Sequence, residues 1–117
     1  MITLATLSEA TAQEVFDQVA THLLTQNKVS SMEGACRYRF IDLKCAAGCL
    51  IADEEYKPEF EGNVWRDLTY SSLVPNRHAQ LISQLQTIHD TCSPSMWGNR
   101  LQELAARNNL QFNWKPS

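Results

Sequence analysis

The stretch TAQEVFDQVATHLLT, residues Thr11–Thr25, carries the clearest structural signal in the sequence. Thr11 and Glu14 have the spacing of a capping box, in which each side chain accepts a hydrogen bond from the other residue's backbone N–H. The apolar residues that follow recur at helical spacing and form one stripe: Val15, Phe16, Val19, Ala20, Leu23 and Leu24. We therefore predict a helix from about Ala12 to Thr25 that ends near residues 26–28.

The second half of the chain predicts two further helices that nearly abut. Pro75 and Asn76 open the first helix, and its apolar stripe comprises Leu81, Ile82, Leu85, Ile88, His89 and Cys92. Ser93 suits the N-cap of the next helix, and Pro94 suits its first helical position. The stripe of that helix comprises Trp97, Leu101, Leu104 and Ala105, and Asn108–Asn109 stops it. Helices joined so closely are expected to form an antiparallel or angled pair.

The segment between these helices predicts a small sheet. Residues 30–34 have the composition of a loop. Residues 35–41 alternate, with Cys36, Tyr38 and Phe40 on one face and Arg37 and Arg39 on the other, as in a strand. Residues 43–45 return as its hairpin partner, and residues 110–114 offer a third strand.

Two shorter segments complete the predicted fold. Residues 45–51 fit a buried strand or a buried helix, and their small side chains favour a short helix. Residues 63–70 fit one or two helical turns. The prediction is an α+β fold over residues 1–117, a helix-dominated single globular domain. In it, a small antiparallel β-hairpin or three-stranded sheet packs against three or four helices.

Composition excludes several classes of protein. The chain has 117 residues, of which 44% are hydrophobic, and its three Trp, three Tyr and four Phe exclude global disorder. No apolar run approaches the roughly 20 residues of a membrane span, and residues 1–5 do not resemble a secretory signal. We therefore expect a cytoplasmic location and free thiols. The net charge of −3 argues against nucleic-acid binding.

The four cysteines are the first candidate site. Cys36, Cys45, Cys49 and Cys92 could supply soft ligands to a metal, with His89 as an alternative fourth ligand. Their spacing is loose for a zinc module, and each falls on an apolar face, so we favour buried structural thiols without a metal or cofactor.

Catalysis has little support in the sequence. Cys45, which follows Lys44, is the best candidate nucleophile, and its partner base would be His22, His78 or His89. Nothing around Cys45 marks a strained turn or an oxyanion site. Gly-rich phosphate loops and His-Glu-x-x-His are absent from the sequence. An enzymatic role therefore stays open but is not favoured.

A charged and aromatic group of residues is the second candidate site. An acidic connection contains Asp53, Glu54, Glu55, Tyr56, Glu59 and Glu61. It fits a solvated linker or a contact for a basic patch on a partner. The Arg37/Tyr38/Arg39 face could instead stack on a nucleotide. The candidate partner contacts are Arg37, Arg39, Asp53, Glu54, Glu55, Tyr56 and Trp65.

Motifs along most of the chain support a resemblance. The most specific is LKCAAGCLI at residues 43–51, followed by DEEY at residues 53–56, and weaker matches extend over residues 12–105. These motifs resemble a set of small proteins from tailed phages, prophages and proteobacteria, which have no established activity. Ala52 departs from the set, which has proline there. The resemblance implies a bacterial cytoplasm and a phage-encoded accessory protein.

These observations lead to a functional expectation with one alternative. We expect a non-enzymatic binding protein, a phage accessory factor or inhibitor that acts on a host or defence protein. The alternative is a nucleotide-binding or metal-binding protein that uses the Cys36/Cys45/Cys49 cluster or the Arg37/Tyr38/Arg39 face. Trp97, Phe112 and Trp114 are more apolar surface than such a domain needs, so a homodimer also stays open.

Overall fold

Helices supply most of the regular structure in the computed structural model, which describes residues 1–114. The α-helices are α1 (Ala12–Gln26), α2 (Trp65–Tyr70), α3 (Ala79–Thr91) and α4 (Pro94–Arg107). The strands are β1 (Ser31–Met32), β2 (Ala35–Cys36), β3 (Arg39–Phe40) and β4 (Leu43–Lys44). The helix-dominated single domain is confirmed, and two separate two-stranded sheets complete it.

Helix α1 forms as its capping box predicts. Glu14 N–H donates to the Thr11 hydroxyl at 3.1 Å, and Thr11 N–H donates to the Glu14 carboxylate at 2.8 Å. The apolar stripe of α1 is buried, and the helix ends at Gln26. Asn27 follows as its C-cap, and its φ of 53° lies in the left-handed region that asparagine tolerates. The helix is therefore one residue longer than predicted.

The predicted pair of helices, α3 and α4, packs on α1. Helix α4 begins at Pro94 as predicted and buries Trp97 completely. Helix α3 begins at Ala79 rather than at Pro75, because His78 adopts a left-handed φ of 61° and breaks the helical path. The His78 ring bonds the Ala10 carbonyl oxygen at 2.6 Å, which fixes this turn against the chain before α1.

The predicted strand over residues 35–41 is broken into β2 and β3. The chain turns at Tyr38, whose side chain enters the core, so β2 pairs with β1 and β3 pairs with β4. The β3–β4 hairpin is confirmed, whereas the prediction that residues 30–34 form only a loop was wrong because β1 lies there.

The prediction of a third strand at residues 110–114 was wrong. Gln111 N–H donates to the Gln13 side chain at 2.8 Å, and the Gln13 amide donates back to the Gln111 carbonyl at 2.9 Å. The backbone is thus satisfied by a glutamine of α1 instead of a strand. The Phe112 ring packs edge-on against Phe16 at 6.4 Å. Since Trp97 and Phe112 pack within the chain, they do not form the apolar surface that left a homodimer open.

The connection from β4 to α3 is built from short turns. Turns of 3₁₀ helix lie at Ala47–Leu50, Asp53–Glu55 and Pro58–Phe60, and α2 follows. The predicted short helix at residues 45–51 is therefore confirmed as a 3₁₀ turn, and the predicted helical turns at residues 63–70 as α2. None of the helices among residues 1–114 combines the length and apolarity that a bilayer crossing needs.

Gly48 allows the Ala47–Leu50 turn to lie directly on the backbone of Tyr38. A Cβ atom at Gly48 would collide with the Tyr38 carbonyl oxygen and would approach the Cys45 sulfur to 3.4 Å. Tyr38 already bridges the two hairpins, so this contact sets the distance between the hairpins and the core.

We predict that Gly48→Ala lowers the free energy of unfolding by about 2 kcal/mol or more, because a rigid backbone group must move. Gly98→Ala in α4 is the matched control. Nothing lies within 4 Å of its added methyl group, so it should raise stability by about 0.5–1 kcal/mol. Urea unfolding of both variants measures this, and equal effects would contradict the close approach.

Candidate functional site

The β3–β4 hairpin is fixed to the acidic connection by Arg39. The guanidinium forms an ion pair with Asp53 at 2.8 Å and donates to the Ile51 carbonyl oxygen at 2.7 Å. The same group lies over the Tyr56 ring, 4.9 Å from its centroid. The Arg39 side chain is only 18% exposed, whereas that of Asp53 is 84% exposed, so solvent screens the ion pair more than the bond to the Ile51 carbonyl. The hairpin therefore has a defined position on residues 51–56.

Glu61 joins the other predicted contacts into the same network. Its carboxylate accepts from the backbone N–H groups of Tyr38 at 2.9 Å and Arg39 at 3.2 Å. It also accepts from the Tyr56 hydroxyl at 2.7 Å and lies 3.9 Å from the Arg37 guanidinium. The structure thus brings together Arg37, Arg39 and Tyr56 around a carboxylate that the sequence placed only in the acidic connection.

The other predicted partner contacts lie in different surroundings. Asp53 and Glu54 are exposed. The Glu55 carboxylate accepts from the backbone of Leu4, Ala5 and Ala52, each at 2.9 Å. Although burial raises it, these backbone donors hold the pKa of Glu55 below its usual range. Glu55 therefore serves to fix the N-terminal segment.

The prediction of Trp65 as a surface contact was wrong. Trp65 is 1% exposed, and its ring lies 6.3 Å from that of Tyr38 in the core. Trp65 and Leu68 share helical spacing and form the buried side of α2. A large aromatic residue at such spacing usually faces the core.

The nucleotide face predicted from Arg37, Tyr38 and Arg39 is occupied by contacts within the chain. Tyr38 is buried, and its hydroxyl donates to the Asn63 carbonyl oxygen at 2.6 Å. The guanidinium of Arg39 is bound as described above. Nothing in this geometry favours the nucleotide alternative, which stays a prediction.

The tip of the β3–β4 hairpin carries a strained and highly exposed apolar residue. Its turn consists of Ile41 and Asp42 between the paired residues Phe40 and Leu43. Ile41 has a φ of 59°, a conformation that β-branched residues rarely adopt, and is 86% exposed. Ile41 was not among the predicted contacts, although an isoleucine next to Asp42, between two strand segments, was the available signal.

The four cysteines do not gather into one metal site. Cys45 is buried as predicted, and burial raises its pKa; burial raises the pKa of Cys49 to about 12. Cys36 is exposed, so its predicted burial was wrong. Over the described part of the chain, the one metal-sized group of ligand atoms belongs to Cys36, His89 and Asp90, within 4.8 Å of one another.

The hydrogen bonds of His89 argue against a metal or a catalytic triad at this cluster. Ser30 N–H donates to Nε2 at 3.0 Å, so Nδ1 carries the ring proton and donates to Asp90 at 2.8 Å. A metal on Nδ1 would have to displace that proton and leave both ring nitrogens without hydrogen. The ring is fully buried and its Nε2 is occupied by the Ser30 N–H, so a substrate cannot contact it.

The Cys36 thiol is also poorly suited to nucleophilic chemistry. Partial burial, followed by the nearby Asp90 carboxylate, raises the pKa of Cys36 to about 11. Little thiolate is then present at neutral pH. The two hydrogen bonds of His89, to Asp90 and from Ser30, instead connect α3 to the start of the β1–β2 hairpin.

A furrow runs along the solvent side of α1. One cavity of about 740 Å³ lies between α1 and the hairpin, and an adjoining one of about 460 Å³ lies nearer the start of the helix. They share the lining residues Met1, Asp17 and Gln18. We call this combined feature the α1 furrow. It is large enough for a ligand and was not predicted from the sequence.

His22 connects α1 to the hairpin within this furrow. Its Nε2 lies 2.9 Å from the Lys44 carbonyl oxygen. Burial lowers the pKa of His22, and the nearby Lys44 ammonium lowers it further. The neutral ring is therefore the form that the folded protein favours.

No protein-family model, curated protein or solved structure matches the chain. The function is therefore inferred from the chemistry of these sites.

We predict that Glu61→Gln lowers the free energy of unfolding by about 1–3 kcal/mol, because an amide cannot accept from all the donors around the carboxylate. Glu59→Gln is the control, since this exposed side chain should tolerate the change within about 0.5 kcal/mol. Thermal and urea unfolding measure both. Equal stabilities of the two variants would show that the network contributes nothing.

We predict that His22 makes stability depend on pH. The unfolded chain has the ordinary histidine pKa of about 6.5, whereas the folded pKa is lower, so the unfolded state binds the proton first as pH falls. The stabilisation is present above pH 6.5 and is lost as pH falls through the folded pKa. His22→Gln should flatten this part of the stability curve. An unchanged slope in urea titrations between pH 5 and 7.5 would contradict it.

Proposed function

We propose that the chain is a non-enzymatic binding protein that docks on another protein through the β3–β4 hairpin, with Ile41 as its apolar anchor. The observation that carries the proposal is an exposed, β-branched residue held in a strained conformation at a hairpin tip. Strained backbone is retained where surrounding contacts fix it, and such positions cluster at functional sites.

Energetics favour Ile41 as a contact rather than as a structural residue. An L-residue in the left-handed region costs about 1–2 kcal/mol, and nothing in the fold covers the Ile41 side chain to compensate. Burial of an isoleucine in a partner's pocket contributes about 1.5–3 kcal/mol. A few anchors of this kind supply most of the affinity of an interface.

The network beneath the hairpin supports rigid presentation of that anchor. Strand β3, which leads into the turn, is held at two points of Arg39. Its side chain pairs with Asp53, and its backbone N–H donates to Glu61. A preformed anchor avoids the entropy cost of ordering a loop when the partner binds. Asp42 and Asp53, both exposed, lie in the turn and beside the strand, so a pocket with basic residues at its rim would complement this surface.

The resemblance to small phage and prophage proteins supplies the context of the proposal. It favours a phage accessory factor in the bacterial cytoplasm that acts on a host or defence protein, as an inhibitor that covers a functional surface. The engaged His89 ring and the raised pKa of Cys36 support a role without catalysis.

We predict that Ile41→Gly keeps or raises stability, by up to about 1 kcal/mol, because glycine adopts a positive φ without strain. The same change should weaken partner binding by about tenfold or more, since the anchor is lost. Tyr70→Ser is the matched control: Tyr70 is 80% exposed at the end of α2, outside the hairpin, and its loss should leave binding unchanged.

The partner is obtained by affinity capture from bacterial lysate with the wild-type chain and with Ile41→Gly as baits. A protein recovered in stoichiometric amount by the wild type alone is then purified, and calorimetry measures its affinity for each variant. Recovery of no stoichiometric partner, or equal affinity for Ile41→Gly, would overturn the proposal.

A further inference from the structure

We infer that the α1 furrow receives a basic amphipathic helix of the partner protein. This inference rests on the proposed function, because it assigns the kind of segment that the partner brings. It concerns a different surface from Ile41, so it can fail independently.

The shape of the α1 furrow fits a helix. Its lining residues run along α1 from Glu14 to Gln26, and a helical segment of that length spans about 18 Å. The second wall is formed by the N-terminal segment, Lys44 and Cys49. A groove between a helix and a second wall is the usual seat for an amphipathic helix.

The floor of the furrow offers few polar groups that would need a partner. Gln18 bonds the backbone of Ile2 at 2.7 and 2.9 Å, and Gln26 bonds the backbone of Lys44 at 2.8 and 3.0 Å. The Cys49 thiol donates to a carbonyl oxygen at 3.1 Å. Thr21 and Thr25 also line the floor, and both are exposed, so their hydroxyls can stay hydrated at its edge. Apolar side chains can cover this floor without stranding buried donors or acceptors.

The charges around the furrow select a cationic occupant. Its lining contains four carboxylates, of Glu9, Glu14, Asp17 and Asp42, against two cationic groups, the Lys44 ammonium and the Met1 α-amino group. Among residues 1–114, none of these carboxylates lies within 4.0 Å of a basic nitrogen, whereas Lys44 lies 3.9 Å from Asp53. Lysine or arginine at the edge of a bound helix would therefore be attracted, and an acidic helix would be repelled.

The test uses synthetic helical peptides of about 14 residues, matched to the length of the furrow. One carries leucine on one face and lysine on the other, and its counterpart carries glutamate in place of lysine. Fluorescence anisotropy of the labelled peptides measures affinity for the full chain. We expect the lysine peptide to bind about tenfold or more tightly than the glutamate peptide.

Two variants locate binding in the furrow. The first removes three of its charges by Glu9→Gln, Glu14→Gln and Asp17→Asn, and glutamine at position 14 keeps the capping box. Its control removes three charges elsewhere by Glu33→Gln, Glu54→Gln and Glu59→Gln. We expect about tenfold weaker binding for the first and less than about twofold for the control. The second, Thr21→Gln with Thr25→Gln, fills the floor without changing charge and should weaken binding by about tenfold.

The remaining outcomes separate the furrow inference from its alternatives and from the hairpin proposal. Equal weakening by the control charges means that the peptide follows net charge alone. If the variant with glutamine at positions 21 and 25 binds the peptide as tightly as the wild type does, the peptide binds elsewhere. If the wild type forms a homodimer that this variant abolishes, the occupant of the furrow is a second copy of the chain. If the lysine peptide binds the furrow but partner binding does not need Ile41, only the hairpin proposal is overturned. Partner binding that needs Ile41, without peptide binding, would sink the furrow alone.

Discussion

The Glu61 carboxylate is the interaction on which the exposed part of this molecule depends. It receives two backbone N–H groups at the junction of the hairpins and the Tyr56 hydroxyl from the connection. Its side chain is only 12% exposed, so these charge-assisted bonds form where water competes weakly. Without it, the partly buried N–H groups of residues 38 and 39 would lose their acceptor. The bonds from Tyr38 and Arg39 to Glu61 therefore fix the orientation of β3 relative to the core.

Long polar side chains replace the sheet in this fold. Strands of two residues provide too few ladder bonds to be stable alone. Instead, Gln26 bonds the backbone of Lys44, Gln86 accepts from Ala47 and Glu55 accepts from the N-terminal segment. Each of these bonds satisfies a backbone group that regular structure would otherwise satisfy. The side chains that make these bonds belong to helices and turns that the core already fixes. The bonds therefore hold the irregular middle of the chain in place against the helices.

The sequence predicted the helices well and the site poorly, for one physical reason. Helix periodicity and capping are local, so α1, α3 and α4 could be read from apolar spacing. The path of residues 35–44 depends on which distant carboxylate accepts from Tyr38 and on the space at Gly48, neither of which has a local signature. Cys36 shows the same limit, since alternation identifies two faces but not which is buried once the chain turns. The conformation of Ile41 likewise follows from pairing on both sides of it.

The hairpin turn is where the two inferred contacts meet. Asp42 lies in the turn beside Ile41 and also lines the α1 furrow, so a partner that holds the isoleucine is adjacent to the end of the furrow. Stable protein interfaces bury about 800 Å² on each partner, which an isolated side chain cannot supply. A hairpin tip alone would therefore bind weakly. A helix laid along α1 from the same end would extend the contact across a second surface and supply the area that the tip lacks.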